Sequence, residues 1–403
     1  MSVLNGKKIL LGVSGGIAAY KTASLVRLFI KAGAHVQVIM TPASKDFVTP
    51  LTLSTLSKNP VYSSFYNEDE QDAEWNNHVE LGLWADLMIV APATANTLSK
   101  MTNGNCDNLL IATYLSAKCP VYVAPAMDLD MYKHPSTIAS FTALQKFGNT
   151  IIPAESGELA SGLSGEGRMA EPENIVSFIE ADLESKLPLK GKKILITAGP
   201  TYEAIDPVRF IGNHSSGKMG FDIAHSAANL GASVVLVSGP TQFKSNHALI
   251  QQINIVSAQE MYDACHAHFD QMDVAIAAAA VADYRPKHVA SQKIKKSVDS
   301  FSIELEKTKD ILLSLGEKKK NQFLIGFALE TENEIENAKG KIQKKNLDLI
   351  VLNSLQDEGA GFKKATNKVT FIDKDFNIEP MELKSKEAVA DDILNKIKAY
   401  FHE

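Results

Sequence analysis

Short apolar runs and amphipathic segments alternate along the chain, and this alternation starts twice. The runs KKILLGV after Gly6 and KKILITA after Gly191 are mostly apolar, and each ends in a glycine turn. An amphipathic segment and a second apolar run follow each of them, which predicts helices at 17–33 and 215–231 and strands at 35–40 and 233–238. A β-α-β unit therefore opens each half of the chain.

Further apolar runs complete the predicted strands. They lie at 86–92, 119–125, 150–154, 273–279, 323–328 and 347–353. Runs that are apolar on both faces, with helical segments between them, are typical of parallel sheets covered by helices. We therefore predict an α/β fold with two Rossmann-like open parallel-sheet domains, whose ligands bind at the carboxyl ends of the strands. The charged segment 182–193 contains Pro188 and Gly191, so we place the domains at 1–189 and 190–403.

Composition limits the classes of function. The 403 residues are 45% hydrophobic and 22% charged, as in an ordinary globular protein. A net charge of −6 argues against a nucleic-acid partner, which would favour a basic surface. The scattered Cys106, Cys119 and Cys265 do not make a disulfide framework, which favours a reducing, cytoplasmic location. The N-terminus lacks the pattern of a signal peptide, and the longest apolar stretch, 274–282, is too short to cross a bilayer, so we predict no membrane association.

A glycine turn after the first strand is the first candidate site. Ser14, Gly15 and Gly16 stand in VSGGIAAYK between a strand and a helix, where free N–H groups and the helix dipole favour a phosphate. The turn fits a tight connection equally well, and it is not the dinucleotide pattern G-x-G-x-x-G. The segment APATANTLSK at 91–100 follows a buried strand, and its small and hydroxyl residues either line a flat ligand or cap a helix.

Three more segments of the first half carry candidate residues. His78 lies in NNHVELGLW, and a lone histidine is more often structural than catalytic. The segment APAMDLDMYKHP at 124–135 is either a loop with two core methionines or part of a binding site. The segment 159–173 is rich in glycine and polar residues, which fits a mobile lid or an exposed linker.

Together and in this order, the motifs SGGIAAYK, NHVEL, PATANT, PAMDLDMY and GEGRM resemble the homo-oligomeric flavin-containing cysteine decarboxylases. The resemblance covers about residues 5–180 and implies a flavodoxin-like fold for the first domain. In that family FMN lies at a subunit interface and the substrate is 4′-phosphopantothenoylcysteine, which implies a homo-oligomer that is trimer-based or larger. The FMN contacts implied by the resemblance are Ser14, Gly15, Gly16, Thr41, Thr94 and Asn96.

The chemistry of this family explains the need for a flavin. A simple carboxylate does not leave as CO2 without an electron sink, and oxidation of the cysteine thiol to a thioaldehyde provides one. The reduced flavin then returns the electrons, so the reaction has no net redox change. The resemblance implies that His78 is the catalytic histidine, as a base at the thiol or a guide for the carboxylate. It also implies that Asp128 and Met131 contact the substrate.

Two positions depart from the family pattern. Asp128 replaces a substrate-binding asparagine, and its carboxylate repels the substrate carboxylate unless it is protonated or faces an amide N–H. Ser161 replaces the cysteine that protonates the enethiol, and a hydroxyl is a much weaker acid than a thiol. We predict decarboxylase activity because the other elements are intact, with Cys106 as a further candidate donor. The alternative is a half that binds flavin without completing turnover.

In the second half, GNHSSGKM at 212–219 matches the P-loop pattern G-x-x-x-x-G-K-[ST] except at Met219. A P-loop follows its strand directly and uses the final hydroxyl on Mg2+, and neither holds here, because the preceding strand ends near Gly199. Instead, DPVRFIGNHSSGKMG and AVADYRP with QKIKK resemble the phosphopantothenate–cysteine ligases over about 190–403. With the first half, the chain resembles the bacterial bifunctional enzymes of coenzyme A synthesis.

Ligases of this family activate phosphopantothenate with CTP and release pyrophosphate, and the amine of cysteine then attacks the acyl-cytidylate. The resemblance implies that Lys293 supports cytidylate formation, that Asn213 stabilises the intermediate, and that Arg209 and Lys218 contact the substrate. Asp283 is expected at the nucleotide or its Mg2+. The CTP site implied by the family comprises Ala277, Ala278, Ala279, Asp283, Lys293, Thr308, Lys309, Asp310, Ile311, Phe327, Lys341 and Lys345.

Alternative explanations exist for the segments and for the chain. Taken alone, QKIKK fits a solvated basic loop, and the alanine-rich run fits a packed central strand. An NAD-dependent oxidoreductase requires G-x-G-x-x-G, which neither half has. A flavin-binding regulatory subunit without catalysis has no use for the ligase motifs. We therefore predict small-molecule substrates, namely 4′-phosphopantothenate, cysteine and CTP, with FMN and Mg2+ as cofactors.

Overall fold

The computed structural model describes residues 2–66, 75–295, 302–330, 332–354 and 366–402. The chain forms two compact units, Met1–Ser185 and Lys186–Glu403. Leu189, which we placed in the first domain, is fully buried in a core of the second unit, so the structural division precedes the predicted one. Among the described residues, no helix is long and apolar enough to cross a membrane.

The first unit is built on a six-stranded sheet in which every pairing is parallel. The strands of this unit are β1 (Lys8–Val13), β2 (His35–Met40), β3 (Val61–Tyr62), β4 (Leu87–Ala93), β5 (Val121–Pro125), β6 (Thr150–Ile151), β7 (Glu155–Glu158) and β8 (Ser164–Arg168). The sheet order β3-β2-β1-β4-β5-β6 is that of a Rossmann sheet, and without the two-residue edge strand β3 it is the flavodoxin-like order. Strands β7 and β8 form a separate antiparallel hairpin.

Helices pack on both faces of this sheet. They are α1 (Thr22–Lys31), α2 (Pro50–Ser57), α3 (His78–Trp84), α4 (Ala95–Asn103), α5 (Leu109–Ser116), α6 (Leu129–Lys133), α7 (Pro135–Lys146) and α8 (Pro172–Ser185), with 3-10 turns at Ile17–Lys21 and Pro42–Asp46. Alternate residues of β1 enter two cores: Ile9 and Leu11 pack with residues of α1 and α8, whereas Leu10 packs with residues of α4, α5 and α7. Burial on both faces explains the uninterrupted apolar runs.

The second unit contains an eight-stranded sheet of order β13-β12-β9-β14-β17-β18-β20-β21. The strands of this unit are β9 (Lys193–Ala198), β10 (Tyr202–Ala204), β11 (Phe210–Gly212), β12 (Ser233–Ser238), β13 (Ile250–Asn254), β14 (Val274–Ala277), β15 (Tyr284–Pro286), β16 (Leu305–Lys307), β17 (Phe323–Glu330), β18 (Leu349–Ser354), β19 (Thr366–Asn367), β20 (Val369–Asp373), β21 (Ile378–Pro380) and β22 (Lys384–Ser385). Pairings are parallel from β13 to β18, whereas β20 and β21 join antiparallel at one edge. The sheet that we predicted as parallel is therefore mixed at this edge.

Helices also cover both faces of the second sheet. They are α9 (Lys218–Asn229), α10 (Ala258–His268), α11 (Ile311–Lys318), α12 (Glu334–Lys345) and α13 (Lys386–His402), with a 3-10 turn at Phe269–Gln271. Ile194 and Ile196 of β9 pack with residues of α9 and α13, and Leu195 packs with residues of α10, α11 and α12. The pairs β10–β11, β15–β16 and β19–β22 are short antiparallel ladders outside the main sheet. The predicted α/β fold with two doubly covered sheets is confirmed.

Predicted and observed elements differ mainly at their ends. The strands predicted at 35–40 and 233–238 coincide with β2 and β12. The strand predicted at 273–279 ends at Ala277, so Ala278 and Ala279 belong to the connection that follows. The predicted lid at 159–173 contains the turn and second strand of the β7–β8 hairpin.

Candidate functional site

A cavity of about 900 Å³ lies in the first unit, beside the carboxyl ends of β1 and β4, where the strand order reverses. Its lining comes from the segments after β1, β2, β4 and β5 and from the β7–β8 hairpin. Among the predicted residues, the cavity is lined by Gly15, Gly16, Thr41, Thr94, Asn96, Asp128, Met131 and Ser161. Topology thus brings together predicted FMN and substrate contacts from five separate parts of the sequence.

Ser14 connects two segments beside this cavity, the turn after β1 and the end of β4. Its buried hydroxyl donates a hydrogen bond to the carbonyl oxygen of Pro92 at 2.6 Å and accepts one from the N–H of Thr94 at 3.1 Å. The Thr94 hydroxyl in turn caps α4 by accepting from the N–H of Thr97. Ser14 therefore fixes the two loops relative to each other, and its direct contact with FMN stays a prediction.

Thr41 offers a polar group to a ligand in the cavity, and Gly15 allows two of the surrounding loops to approach closely. The Thr41 hydroxyl is buried, and it has no hydrogen-bond partner among the described residues. Such an unsatisfied group costs about 1–3 kcal/mol, which favours a ligand that bonds to it. At Gly15, a Cβ atom would lie 2.8 Å from the Cβ of Ala43, so only glycine allows this close approach of two loops.

Charged side chains of both signs line the cavity, namely Lys21, Lys100, Arg168, Asp107, Asp128 and Glu158. The buried Lys21 donates to the carbonyl oxygen of Met169 and to the carboxylate of Glu171, both at 2.9 Å. Arg168 bonds to the same carboxylate at 2.6 Å. The hydrogen bond from Lys21 lowers the pKa of Glu171. The single carboxylate of Glu171 therefore pairs with both cations. The contacts also hold the base of the β7–β8 hairpin against the turn after β1.

The β7–β8 hairpin forms one wall of the cavity. Gly167 has a φ of 133°, and a Cβ atom there would lie 2.4 Å from the carbonyl oxygen of Met127. Glycine therefore allows β8 to approach the segment after β5, where the Met127 N–H donates to the Gly167 carbonyl at 3.0 Å. The hairpin turn carries the exposed Ser161, whose hydroxyl accepts from the N–H of Leu163 at 3.4 Å.

Asp128 begins helix α6, and its carboxylate accepts a hydrogen bond from the N–H of Leu129 at 2.7 Å. This is one of the two conditions under which we expected a carboxylate to be tolerated beside the substrate. Met131 follows on the same helix with half of its surface exposed. Cys106 is an exposed free thiol that is not among the residues lining the cavity, although its neighbours Asp107 and Asn108 are.

His78 is not among the residues that line this cavity. It is the first residue of α3, which Asn77 caps by accepting from the N–H of Val79 at 3.0 Å. The imidazole packs edge-on against Phe65 and Trp75, with ring centroids 6.2 Å away in both cases. Its Nδ1 is buried and lacks a hydrogen-bond partner among the described residues.

In the second unit, the loop at 212–217 leads into α9, as GNHSSGKM predicted. The helix begins at Lys218 because Gly217 adopts a left-handed conformation with a φ of 82°. The side-chain amide of Asn213 donates to the carbonyl oxygen of Val281 at 2.9 Å. This bond joins the loop to the segment that follows the central strand β14.

The alanine-rich run forms an open surface at the end of β14, which lies between β9 and β17 in the sheet. Ala277, Ala278 and Ala279 are only partly buried, although the strand is central. The Thr308 hydroxyl donates to the carbonyl oxygen of Ala282 at 2.7 Å, and its N–H donates to that of Asp283 at 2.9 Å. These bonds bring residues 308–311 beside the alanine run.

Residues near Thr308 continue the same edge. Asp310 caps α11 by accepting from the N–H of Leu313 at 3.0 Å, and Ile311 is the buried first residue of that helix. Lys345 of α12 forms an ion pair with Asp310 at 2.8 Å. The structure therefore brings Asp310, Ile311 and Lys345 together with Thr308.

Lys309 and Lys341 are also predicted to contact CTP, and each interacts with a nearby side chain of the protein. The ammonium of Lys309 lies 4.5 Å from the ring centre of Tyr262, and Lys341 forms an ion pair with Glu330. Phe327 is half-buried on β17. Contact of these three residues with CTP stays a prediction.

The exposed Lys293 lies in a segment that contacts the loop formed by the DPVRF motif. Arg209 forms an ion pair with the buried Asp206 and donates to the carbonyl oxygen of Ile294 at 2.9 Å. The sequence analysis named Arg209 but missed Asp206. A carboxylate three residues before the arginine in DPVRF was the available signal.

Lys218 does not point its ammonium at the 212–217 loop. Its Nζ lies 2.8 Å from both carboxylate oxygens of Asp222, four residues further along α9, and 3.5 Å from Glu387. Its contact with a phosphate stays a prediction, since it requires exchange of these partners.

A Mg2+ site made only of protein ligands is absent from the described residues, where no three acidic, histidine or cysteine side chains converge. The exposed Asp283 fits a site of the other kind, in which one carboxylate and the phosphates of a nucleotide share the ion.

Comparisons with known proteins assign each unit to a family. Residues 2–184 match the model of the flavoprotein family, and residues 189–401 match that of the C-terminal domain of DNA/pantothenate metabolism flavoproteins. The first unit is therefore a flavoprotein domain.

Curated relatives cover almost the whole chain. The coenzyme A biosynthesis bifunctional protein CoaBC of Bacillus subtilis is 45% identical over 98% of this chain and 98% of its own length. The CoaBC protein of Vibrio parahaemolyticus is 45% identical over 99% of both chains. A cysteine/cysteine sulfinic acid decarboxylase from an unknown prokaryotic organism is 53% identical over 88% of this chain and all of its own length. The chain therefore belongs to the CoaBC family of bifunctional coenzyme A biosynthesis enzymes, with phosphopantothenate–cysteine ligase and phosphopantothenoylcysteine decarboxylase activities.

Proposed function

We propose that the second unit uses CTP and Mg2+ to join 4′-phosphopantothenate to cysteine through an acyl-cytidylate, and that the first unit decarboxylates the product to 4′-phosphopantetheine. The observation that supports this proposal is that many of the residues implied by the family, although not His78 or Lys218, lie near the carboxyl ends of the central strands of each unit. In doubly wound sheets, ligands bind at this edge.

In the proposed ligase site, repulsion between the two reacting groups is the main obstacle to the reaction. The substrate carboxylate and the α-phosphate of CTP are both anionic, so cations have to offset their repulsion. Lys293 supplies one cation, and Arg209 and Lys218 lie in the substrate motif. Asp283 would hold Mg2+, which would offset charge on the CTP phosphates. The Asn213 amide, already at the end of β14, stabilises the charged oxygen of the acyl intermediate.

In the proposed decarboxylase site, FMN supplies a temporary acceptor for two electrons of the cysteine thiol. The Thr41 hydroxyl donates to the cofactor, and the Gly15–Gly16 turn with Lys21 receives its phosphate. His78 accepts the thiol proton or holds the departing carboxylate. Ser161 stands in the hairpin turn where the enethiol regains a proton.

The decarboxylase is proposed to be an oligomer, trimer-based or larger. His78 has to meet substrate in the cavity, yet it is not part of the cavity lining of its own subunit. A neighbouring copy that covers α3 would bring His78 to a cavity across the interface. The exposed apolar residues Val79 and Leu83 on that helix fit such a contact.

A cytoplasmic location belongs to the same proposal. All three cysteines are free thiols, which fits a reducing compartment.

One incubation tests the proposed function. Purified protein receives FMN, Mg2+, CTP, 4′-phosphopantothenate and cysteine labelled at its carboxylate, and pyrophosphate, CMP, labelled CO2 and 4′-phosphopantetheine are measured. We expect all four products, and we expect none when CTP is left out. One relative is named as acting on cysteine and cysteine sulfinic acid, so these acids are also supplied alone. Release of CO2 from either acid without CTP would replace the proposed reaction with direct decarboxylation.

A further inference from the structure

The segment that carries Lys293, residues 290–295, is bonded to a neighbouring loop on both sides of the lysine. Before it, the N–H of Ala290 donates to the carbonyl oxygen of Ile205 at 3.0 Å. After it, the N–H of Ile294 donates to a carboxylate oxygen of Asp206 at 3.2 Å. The lysine backbone therefore lies between two fixed points.

A second hydrogen bond holds the backbone of Ile294. Arg209 donates from Nη2 to the carbonyl oxygen of Ile294 at 2.9 Å, while its guanidinium also bonds to Asp206. The N–H of Ile294 thus donates a hydrogen bond to the Asp206 carboxylate, and the carbonyl oxygen of Ile294 accepts one from the Arg209 guanidinium. This two-sided contact restricts rotation as well as translation of the peptide unit.

Asp206 is built into its loop and is not a mobile surface charge. Its carboxylate is fully buried, and it accepts from the N–H groups of Val208 at 2.8 Å and Arg209 at 2.9 Å. The hydrogen bond from Arg209 lowers the pKa of Asp206, so the carboxylate stays ionised at neutral pH. Because it is buried and paired, this carboxylate keeps one orientation, and it therefore fixes the groups to which it is hydrogen-bonded.

Lys293 itself is exposed and long, so its ammonium gains a defined position only from its backbone. A misplacement of about 1 Å in a catalytic arrangement costs on the order of 10²-fold in rate. The flexible side chain is therefore the part of the proposed ligase site that most needs external support.

We propose that Asp206 is a positioning residue of the ligase, which holds the backbone of Ile294 and thereby places Lys293 for the attack of phosphopantothenate on CTP. The proposal rests on the proposed role of Lys293. Asp206 touches neither substrate in this account. It also orients Arg209, but the effect on kcat that we propose for it passes through the lysine.

The Asp206→Asn variant of the full chain tests this role. It keeps the size of the side chain but weakens the bonds to Ile294 and Arg209. We expect kcat for pyrophosphate release to fall roughly 10- to 100-fold, while KM for CTP changes little. Release of CO2 from supplied phosphopantothenoylcysteine by the same protein should stay unchanged. Asp348→Asn is the matched control, because Asp348 also bonds to a cation, Lys319 at 2.6 Å, and to a backbone N–H, that of Leu324 at 2.7 Å.

A double variant separates positioning from simple support of the fold. Lys293→Ala alone should slow pyrophosphate release, and adding Asp206→Asn to it should cause no further loss. Losses that multiply would overturn the proposal, as would a normal rate in Asp206→Asn alone. A normal rate in Lys293→Ala would instead contradict the proposed role of the lysine.

Circular dichroism shows whether Asp206→Asn is folded. If it is not, Ile294→Pro removes the N–H donor of this bond. The proline ring also restricts the backbone of Lys293, so the same loss of kcat is expected. A folded Ile294→Pro variant with an unchanged rate would overturn the proposal.

Discussion

The Ser14 hydroxyl lies 2.6 Å from the carbonyl oxygen of Pro92, and this hydrogen bond joins the turn after β1 to the end of β4. The two strands are neighbours at the point where the sheet order reverses. The walls of the cavity that we propose for FMN are therefore held together by the protein itself. A cavity that is preformed in this way loses less entropy on binding.

Ser14→Ala should weaken FMN binding, because the alanine removes the bonds to Pro92 and Thr94. We expect roughly tenfold weaker binding, equivalent to about 1.4 kcal/mol, measured by flavin fluorescence on titration. Ser140→Ala is the control, because the Ser140 hydroxyl bonds only to a carbonyl of its own helix α7, that of Ser136 at 2.9 Å. Equal FMN affinity in both variants would show that the Ser14 bond does not shape the cavity.

Thr41→Val should have opposite effects on the apoprotein and on FMN binding. Without FMN, removal of a buried unpartnered hydroxyl should raise the free energy of unfolding, by about 1 kcal/mol. With FMN, loss of the donor should weaken binding several-fold, as measured by titration. Thr113→Val removes a hydroxyl that bonds to the carbonyl of Leu109 at 2.8 Å, and it should lower stability without changing FMN affinity. A Thr41→Val variant with unchanged affinity would exclude the proposed contact.

The strands of both central sheets could be predicted from the sequence because burial on both faces makes them continuously apolar. The short ladders β10–β11 and β15–β16 could not, since each has three residues per strand and lacks a clear period. The antiparallel strands β20 and β21 also escaped prediction. Their direction is set by pairing to β18, which no local pattern encodes.

His78 from one subunit should complete the cavity of another. His78→Ala and Gly16→Asp, which puts a carboxylate into the FMN turn, should each abolish CO2 release from supplied phosphopantothenoylcysteine. Co-expression with two different tags and purification through both should yield mixed oligomers that regain part of the activity. Each parent variant should keep ligase activity, which serves as the control for folding. Mixed oligomers without CO2 release would place the histidine and the flavin in the same subunit.

Ser161→Cys should speed the last step of decarboxylation. A thiol with a pKa near 8.5 is a far better proton donor than a hydroxyl, so we expect the yield of 4′-phosphopantetheine per CO2 to rise, with a rate gain of roughly tenfold or more. Products are separated by chromatography and identified by mass. Ser164→Cys is the control, because it adds a thiol to the same hairpin outside the cavity lining. An equal product ratio in the natural protein and Ser161→Cys would show that another donor serves this step.

The candidate sites were predictable where a motif directly follows a strand, as with Gly15 after β1 and Thr94 after β4. They were not predictable where a contact joins distant segments. Asp206 and Ile294 are far apart in sequence, and the hydrogen bond between them exists only in the folded unit. The separation of His78 from the cavity lining was also hidden, because its place in the sequence does not show which residues its imidazole contacts.

The central claim is that one chain holds two chemically independent sites, and crossed assays of two variants test it most directly. Pyrophosphate release from CTP, phosphopantothenate and cysteine is measured beside CO2 release from supplied phosphopantothenoylcysteine, in His78→Ala and in Asn213→Ala. We predict that His78→Ala loses only CO2 release and that Asn213→Ala loses only turnover of the ligase. Loss of both activities in either folded variant would contradict the account.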